Sequence, residues 1–368
     1  MPGRSSVPRN FPFAAAVGLG LLALGSCAAP IPPDKLALVR AGFADVAGWA
    51  NDDIGAAIPA MLRSCERIGR LPPETALGPA NLMGRAGDWR APCAGARRVP
   101  ARDPAAARRF FESEFRVFRA VNAAGGDGFA TGYYEAELKG ARTPDARYRF
   151  PIYRPPADRA AYDRAAIEAG ALAGQGLEIL WVDDARDAFF LHVQGSGRVA
   201  MNDGKTVRLG FAGRNGHAYT SIGRVLVERG LMAREDVTMK TIRDWIAAHP
   251  AEGAALMREN RSYIFFREID GAGPLGAEGV PLTPERSAAV DPAHLPFGLP
   301  LFVATRDPLD PARPLARLAI AQDQGSAIKG PLRIDLFFGA GPKAEARAGA
   351  LKHPAELFVL RPKSLPPP

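Results

Sequence analysis

The run Arg333–Phe338 (RIDLFF) sets Ile334, Leu336 and Phe338 against Arg333, Asp335 and Phe337. Side chains on a strand point alternately to opposite faces, so an apolar set turned to a core turns Asp335 away from it, beside Phe337. A carboxyl against an aromatic wall in a closed groove holds its proton towards neutrality and can serve as a general acid. Arg333 on the same face pulls the other way, so the chemistry depends on where its guanidinium points. Two more aspartates precede it, Asp323 in AQDQGSAIKG and Asp291 in AVDPAHLPFGLPLFV.

Other patterns offer other chemistry. Ser326-Ala327-Ile328-Lys329 fits the S-x-x-K of penicillin-binding proteins, where a serine at a helix start faces lysine one turn on. Gly330-Pro331 follows too soon for that helix, and neither S-D-N nor K-T-G occurs, so serine acyl transfer through Ser326 and Lys329 is the runner-up. Gly271 to Gly276 fits G-x-G-x-x-G, but Pro274 stands where a helix has to begin, which argues against a dinucleotide site. The histidines (His192, His217, His249, His294 and His353) include no H-E-x-x-H and no pair at ligand spacing. Neither a metal nor a cofactor is expected.

The elements that must position these residues are mostly strands. Thirty-four prolines and 39 glycines in 368 residues argue for many turns and against a helical bundle. Leu36 to Arg119 reads as helical, with Phe110, Phe111, Phe115 and Phe118 at near-helical spacing as core. From Thr131 onward short strands follow: Glu178–Asp183, Phe189–Gln194, Thr206–Phe211, Tyr263–Ile269, Leu299–Thr305, Leu315–Asp323, Arg333–Phe338 and Glu356–Leu360. Alternation in Phe189–Gln194 would project Gln194 from a sheet. Two helices interrupt the series, one capped by Ser221 and stopped by Gly230, the other ending at Pro250.

Lys plus Arg number 47 against 39 Asp plus Glu, a net +8 that suits an anionic polymer or lipid. The basic residues are scattered and no RNA-binding motif occurs, which argues against nucleic acid. At the start, Arg4 and Arg9 precede an apolar stretch from Phe11 to Leu24 and then Leu24-Gly25-Ser26-Cys27. This reads as a secretory signal over residues 1–26. The four residues resemble a bacterial lipobox, which implies lipidation of Cys27 and a tether over 27–34. Ala28 after the cysteine implies the periplasmic face of the outer membrane. The two remaining cysteines, Cys65 and Cys93, are either bridged or buried as free thiols.

Read together, the three aspartate segments resemble the membrane-bound lytic murein transglycosylase A family with its three-aspartate domain. TGYYE (Thr131–Glu135), HVQGSG (His192–Gly197), AGRNGHAYTSIG (Ala212–Gly223) and NRSYIFF (Asn260–Phe266) match family segments in order. The chain departs from the family's Asp-Thr-Gly-Gly-Ala-Ile-Lys-Gly in having Gln324 and Ser326.

The resemblance implies a mainly β chain with helical additions, a double-psi β-barrel domain with a second β-barrel-like domain inserted. The barrel domain would take residues 35–132 and 270–365, and the insert 133–269 would form the other wall of a glycan groove. The resemblance also implies a peptidoglycan lytic transglycosylase, an exolytic glycan lyase that leaves 1,6-anhydromuramoyl ends. In it Asp335 is the single catalytic acid, Asp323 supports it and Asp291 anchors a loop. Substrate contacts would come from Tyr133, Tyr134, Gln194, Ser196, Asn215, Tyr219, Ser221 and Lys329. The partners implied are glycan strands and outer-membrane lipid. A non-catalytic wall-binding lipoprotein is the remaining alternative.

Overall fold

The computed structural model describes residues 34–79, 82–101, 103–271 and 273–367; the signal segment, Cys27 and most of the tether lie outside them. Among the described residues, thirteen strands and nine α-helices follow in chain order. The first part runs β1 (Leu36–Ala41), α1 (Ile58–Gly69), α2 (Arg90–Arg97), α3 (Pro104–Glu114), β2 (Phe115–Asn122) and β3 (Gly128–Ala141). The middle holds β4 (Phe150–Tyr153), α4 (Arg164–Glu168), β5 (Glu178–Val182), α5 (Ala185–Gln194), β6 (Gly197–Met201) and β7 (Thr206–Arg214). It ends with α6 (Ile222–Glu228), α7 (Met239–Ala248), α8 (Pro250–Glu259) and β8 (Ile264–Glu268). The last part is β9 (Ser287–Val290), β10 (Pro300–Arg306), β11 (Pro314–Asp323), β12 (Arg333–Ala340), α9 (Pro342–Ala350) and β13 (Lys352–Pro362).

Six of these strands close a ring in the order β13-β10-β11-β9-β12-β3, with β3 pairing back onto β13. Two pairs are parallel, β11 with β9 and β12 with β3, and the other four are antiparallel. Closure removes free edges, and the strands are apolar enough to fill the interior, as in Leu318–Ala321 and Leu357–Leu360, all buried. Strand β2 continues from β13 and carries β1 at its edge. Helix α1 buries Ile58, Ala60, Met61, Cys65 and Ile68, which recur at three- and four-residue spacing on one side. It is joined to α2 through a Cys65–Cys93 disulfide, whose Cα atoms are 5.6 Å apart.

Strand β3 is shared. Phe129–Glu135 pairs with β12 in the barrel, and Ala136–Gly140 pairs with β6 in a second sheet ordered β4-β5-β3-β6-β7-β8. That sheet curls until β4 and β8 lie near one another, without a hydrogen-bonded seam. Helices α5 to α8 enclose a core of Phe189, Phe190, Leu226, Ile246 and Leu256.

Two expectations need correction. Phe189–Gln194 is the last part of helix α5, not a strand. Asp184 caps its start by accepting from the Arg186 N–H, and Gly195 ends it in the left-handed region at φ 77°. The Leu36–Arg119 stretch is not helical throughout: Leu36–Ala41 is a strand, and the aromatic run changes from helix to strand between Glu114 and Phe115. All four phenylalanines are buried nonetheless: Phe110, Phe111 and Phe115 share the main core, and Phe118, on the opposite face of β2 from Phe115, packs under the Arg361 guanidinium.

Candidate active site

The barrel strand β12 buries Ile334, Leu336 and Phe338, and Asp335 stands on the opposite face, half-buried. The parallel register places Asp335 beside Thr131 and Phe337 beside Tyr133 of β3. Thr131 Oγ1 donates to Asp335 Oδ1 at 2.6 Å, and Arg333 Nη2 donates to the same Thr131 oxygen at 2.8 Å. Arg333 also donates to the carbonyls of Phe129 and Ile334, so its guanidinium is tied to backbone and reaches the aspartate only through the threonine. Burial pushes the Asp335 carboxyl up to about 6, against the opposing effects of the Thr131 bond and the Arg333 charge. The Asp323 charge adds to the rise. Asp335 Oδ2 makes no hydrogen bond among the described residues.

Asp323 ends β11 and is differently placed. Its Oδ1 accepts from the Ala277 and Gln324 N–H groups at 2.9 Å each, and its Oδ2 accepts from the Tyr133 hydroxyl at 2.9 Å. Burial raises its pKa, and these three donors act against the rise. The same burial, with the Asp323 and Asp335 charges, pushes the Tyr133 phenol well up, so it remains a donor. The Tyr133 ring packs on Phe337 with centroids 5.2 Å apart. Asp291 is buried and accepts from the N–H groups of Gly330 and Ala293, tying down the end of the loop after Asp323. Burial opposes ionisation there, but those two N–H groups, with Lys329 and His294, hold its pKa below the usual carboxylate value.

The remaining residues divide by exposure. Gln194 Oε1 accepts from the Tyr134 N–H at 3.0 Å, which fixes the amide and leaves its NH2 unengaged among the described residues. Ser196 is half-buried in the turn between α5 and β6, while Tyr219 and Lys329 are exposed. Tyr134 does not present its ring: it is 3% exposed and donates its hydroxyl to Glu345. Asn215 is also unavailable, because its Nδ2 donates to the Tyr162 and Arg261 carbonyls and its Oδ1 accepts from the Tyr263 N–H. The Ser221 hydroxyl is spent on capping α6. Ser326 and Lys329 lie in and beside a turn, both exposed, so the helical face that S-x-x-K chemistry requires is missing. His192 is buried against Arg164, with Nδ1 3.0 Å from the guanidinium, and serves the insert's interior.

Sequence reasoning missed Thr131 and the Ala277 N–H as parts of the site. Thr131 sits inside the TGYYE segment and so carried a signal; a backbone donor from a turn-rich passage carried none.

A closed six-stranded barrel that shares β3 with a second sheet, and a half-buried carboxyl on the β12–β3 pair, define a β-barrel protein with a candidate acid site. Residues 129–267 match the MltA specific insert domain and residues 286–361 the 3D domain. A solved membrane-bound lytic murein transglycosylase from Agrobacterium tumefaciens is 36% identical, with 89% of this chain and 98% of that chain covered and a TM-score of 0.80. The structure of Escherichia coli MltA with bound chitohexaose is 29% identical, covering 90% of this chain and 95% of that one, at a TM-score of 0.68. Membrane-bound lytic murein transglycosylase A of Vibrio cholerae is 36% identical over 237 residues, 62% of this chain and 64% of that protein. That alignment thus spans just under two thirds of the curated relative's length. The chain belongs to the membrane-bound lytic murein transglycosylase A family. Its fold is the mainly β architecture with helical additions that the sequence resemblance implies.

Proposed function

We propose that the protein is a lytic transglycosylase that cleaves the β-1,4 bond between MurNAc and GlcNAc and leaves a 1,6-anhydromuramoyl end. The observation that carries the mechanism is the contrast between the two carboxyls. Both oxygens of Asp323 are occupied by donors, whereas Asp335 keeps one oxygen free and a pKa of about 6. Glycoside cleavage commonly divides its proton work between two carboxylates. Here one group serves in both steps. Protonated Asp335 gives its proton to the glycosidic oxygen as the bond from the muramyl C1 breaks, and the GlcNAc O4 leaves as an alcohol. The Asp335 carboxylate then takes the proton of the muramyl C6 hydroxyl as O6 bonds to C1. No water is consumed, and no second titrating carboxyl is required.

Asp323 supports this site by holding the Tyr133 hydroxyl, and the free NH2 of Gln194 is a donor for a sugar or acetamido oxygen. Relatives carry the name lytic murein transglycosylase, and the solved Escherichia coli protein holds chitohexaose; both support a wall glycan substrate. No helix among the described residues is long and apolar enough to cross a membrane. Attachment through lipid on Cys27, at the periplasmic face of the outer membrane, is the reading we infer from the Leu-Gly-Ser-Cys segment.

The test is digestion of purified sacculi followed by mass spectrometry of the soluble products. Asp335→Asn is expected to cut release of anhydromuropeptides by about 10²-fold or more, the scale of a lost general acid, while the fold is retained. Release at the parental rate would end the single-acid mechanism. Products with reducing rather than anhydro ends would instead make the protein a hydrolase.

A further inference from the structure

Glu278 lies in the turn-rich passage before β9 and is a buried carboxyl that the mechanism above does not use. Its Oε2 accepts from Ser64 Oγ of α1 at 2.6 Å, and Arg67 Nη1, one turn further along α1, is 3.7 Å from Oε1. Oε1 has no hydrogen-bond partner among the described residues. The Glu278 N–H donates to the Gln322 carbonyl of β11, and the preceding Ala277 N–H donates to Asp323 Oδ1. Gln322, the residue before Asp323, is pinned to the same helix: its Nε2 donates to the Ala60 carbonyl and to Ser64 Oγ. Arg63 of α1 holds the rest of the passage through the Pro281 carbonyl and Thr283 Oγ1. On the remaining side Gly298 leaves no room, since a Cβ there would come within 3.3 Å of Oε1. Arg67 is therefore the charged group that faces Glu278, and Ser64 and Gln322 are the polar ones.

We propose that Glu278 is a positioning residue: clasped by Ser64 and Arg67, it sets the turn whose Ala277 N–H fixes Asp323, and loss of its proton loosens that turn. This rests on the reading of Asp335 and Asp323 as the reaction site. The neutral carboxyl fits the clasp, because the Ser64 donor on Oε2, the Arg67 guanidinium 3.7 Å from Oε1 and the nearby Gln322 amide offset only part of the cost of a buried charge. Ionisation asks for more donors, and the one group able to move closer is Arg67 on a helix braced to α2 by the disulfide. The mobile partner is then the turn itself, which carries Ala277 away from Asp323 and frees the Tyr133 hydroxyl. Burial raises the Glu278 pKa to about 7, so the change falls within the range where the wall enzyme would work.

The experiment measures kcat and KM for anhydromuropeptide release from sacculi across acidic to mildly alkaline pH, for the full chain and three variants. In the parent, kcat falls through two ionisations, those of Asp335 and Glu278. Normalised to its own rate at acidic pH, Glu278→Gln is expected to retain at least about threefold more kcat at alkaline pH than the parent, one ionisation having been removed, with KM unmoved. Ser64→Ala takes away the donor that favours the carboxylate and is expected to move the second ionisation to higher pH. Normalised curves for both variants that superimpose on the parent overturn the proposal. If Glu278→Gln does not fold, the Ser64→Ala curve decides alone. Asp335→Asn separates the two readings: activity in that variant ends the site assignment whatever the Glu278 curves show. An inactive Asp335→Asn with superimposed curves ends only the role of Glu278.

Discussion

At the scale of single residues, the proton held by Asp335 is set by competition between burial and one hydroxyl. Thr131 donates to Oδ1 and so favours the carboxylate, while the guanidinium that Thr131 accepts from orients the hydroxyl towards that oxygen. Thr131→Val keeps the shape and removes the donor. A hydrogen bond to a charged group contributes roughly 1.5–3 kcal/mol, so the Asp335 pKa should rise by about one unit or more. The falling limb of the rate against pH then moves to higher pH, and the rate at acidic pH drops because the carboxyl is no longer aimed. A limb that stays in place would mean that Thr131 does not touch the working oxygen. The same groups make a stability prediction. Asp335 and Glu278 both titrate above their ordinary values, at about 6 and about 7. The folded chain therefore binds more protons than the unfolded chain between the ordinary carboxylate range and neutrality. Their contribution favours folding below that window and is lost as pH rises through it. Thermal unfolding of Glu278→Gln should show a smaller decline from acidic to alkaline pH than the parent, and an equal decline would count against a buried neutral Glu278.

At the scale of elements, the site depends on how closely β3 approaches its neighbours. A Cβ on Gly132 would sit 2.6 Å from the Phe338 ring and 2.8 Å from the Ala348 Cα of α9. Gly132→Ala must push that helix backbone away, a cost of about 1–3 kcal/mol for an overpacked position, measurable by urea unfolding. Because Gly132 follows Thr131, activity should fall with it; unchanged stability and rate would show that α9 gives way freely. The pairing of β3 with β12 also explains what could be read beforehand. The orientation of Asp335 followed from its own strand, since Ile334, Leu336 and Phe338 had to face a core. Its partner Thr131 is 204 residues away, and nothing in RIDLFF says which strand lies beside it. The short run FFLHVQ alternates as a strand would, but its burial is decided by the helices packed around Phe189 and Phe190, and Asp184 and Gly195 were the signals for a helix. Gln194 lies beside Tyr134 because helix α5 ends there, not because it projects from a strand. Tyr134 and Asn215, expected as substrate contacts, are instead interior struts. Their types alone do not tell a hydroxyl or amide that meets substrate from one that meets a carbonyl.

At the scale of the whole molecule, the insert is held to the barrel at points other than β3. Arg243 of α7 is one such tie: its Nη1 donates to Asp187 of α5 at 2.6 Å, and its Nε lies 3.6 Å from Glu345 of α9. Its guanidinium covers the Phe190 ring at 4.2 Å, and Glu345 in turn accepts from the Tyr134 hydroxyl. Lys352 of β13 adds a second tie by donating to the carbonyls of Glu235 and Val237 before α7. Arg243→Ala removes one tie and leaves Lys352, so the insert should stay folded while its angle to the barrel becomes less fixed. The ion pair with Glu345 contributes at most about 1 kcal/mol to that tie, and loss of the Asp187 hydrogen bond and the Phe190 contact loosens α7 on α5 within the insert. On the proposed function, Asp335 and Thr131 belong to the barrel and keep their geometry, so the deficit falls on binding of the glycan. The expected result is a several-fold rise in KM for sacculi with a smaller change in kcat and an unmoved pH limb. A fall confined to kcat would instead mean that Arg243 acts on the carboxyl itself, and that the two walls keep their spacing without it.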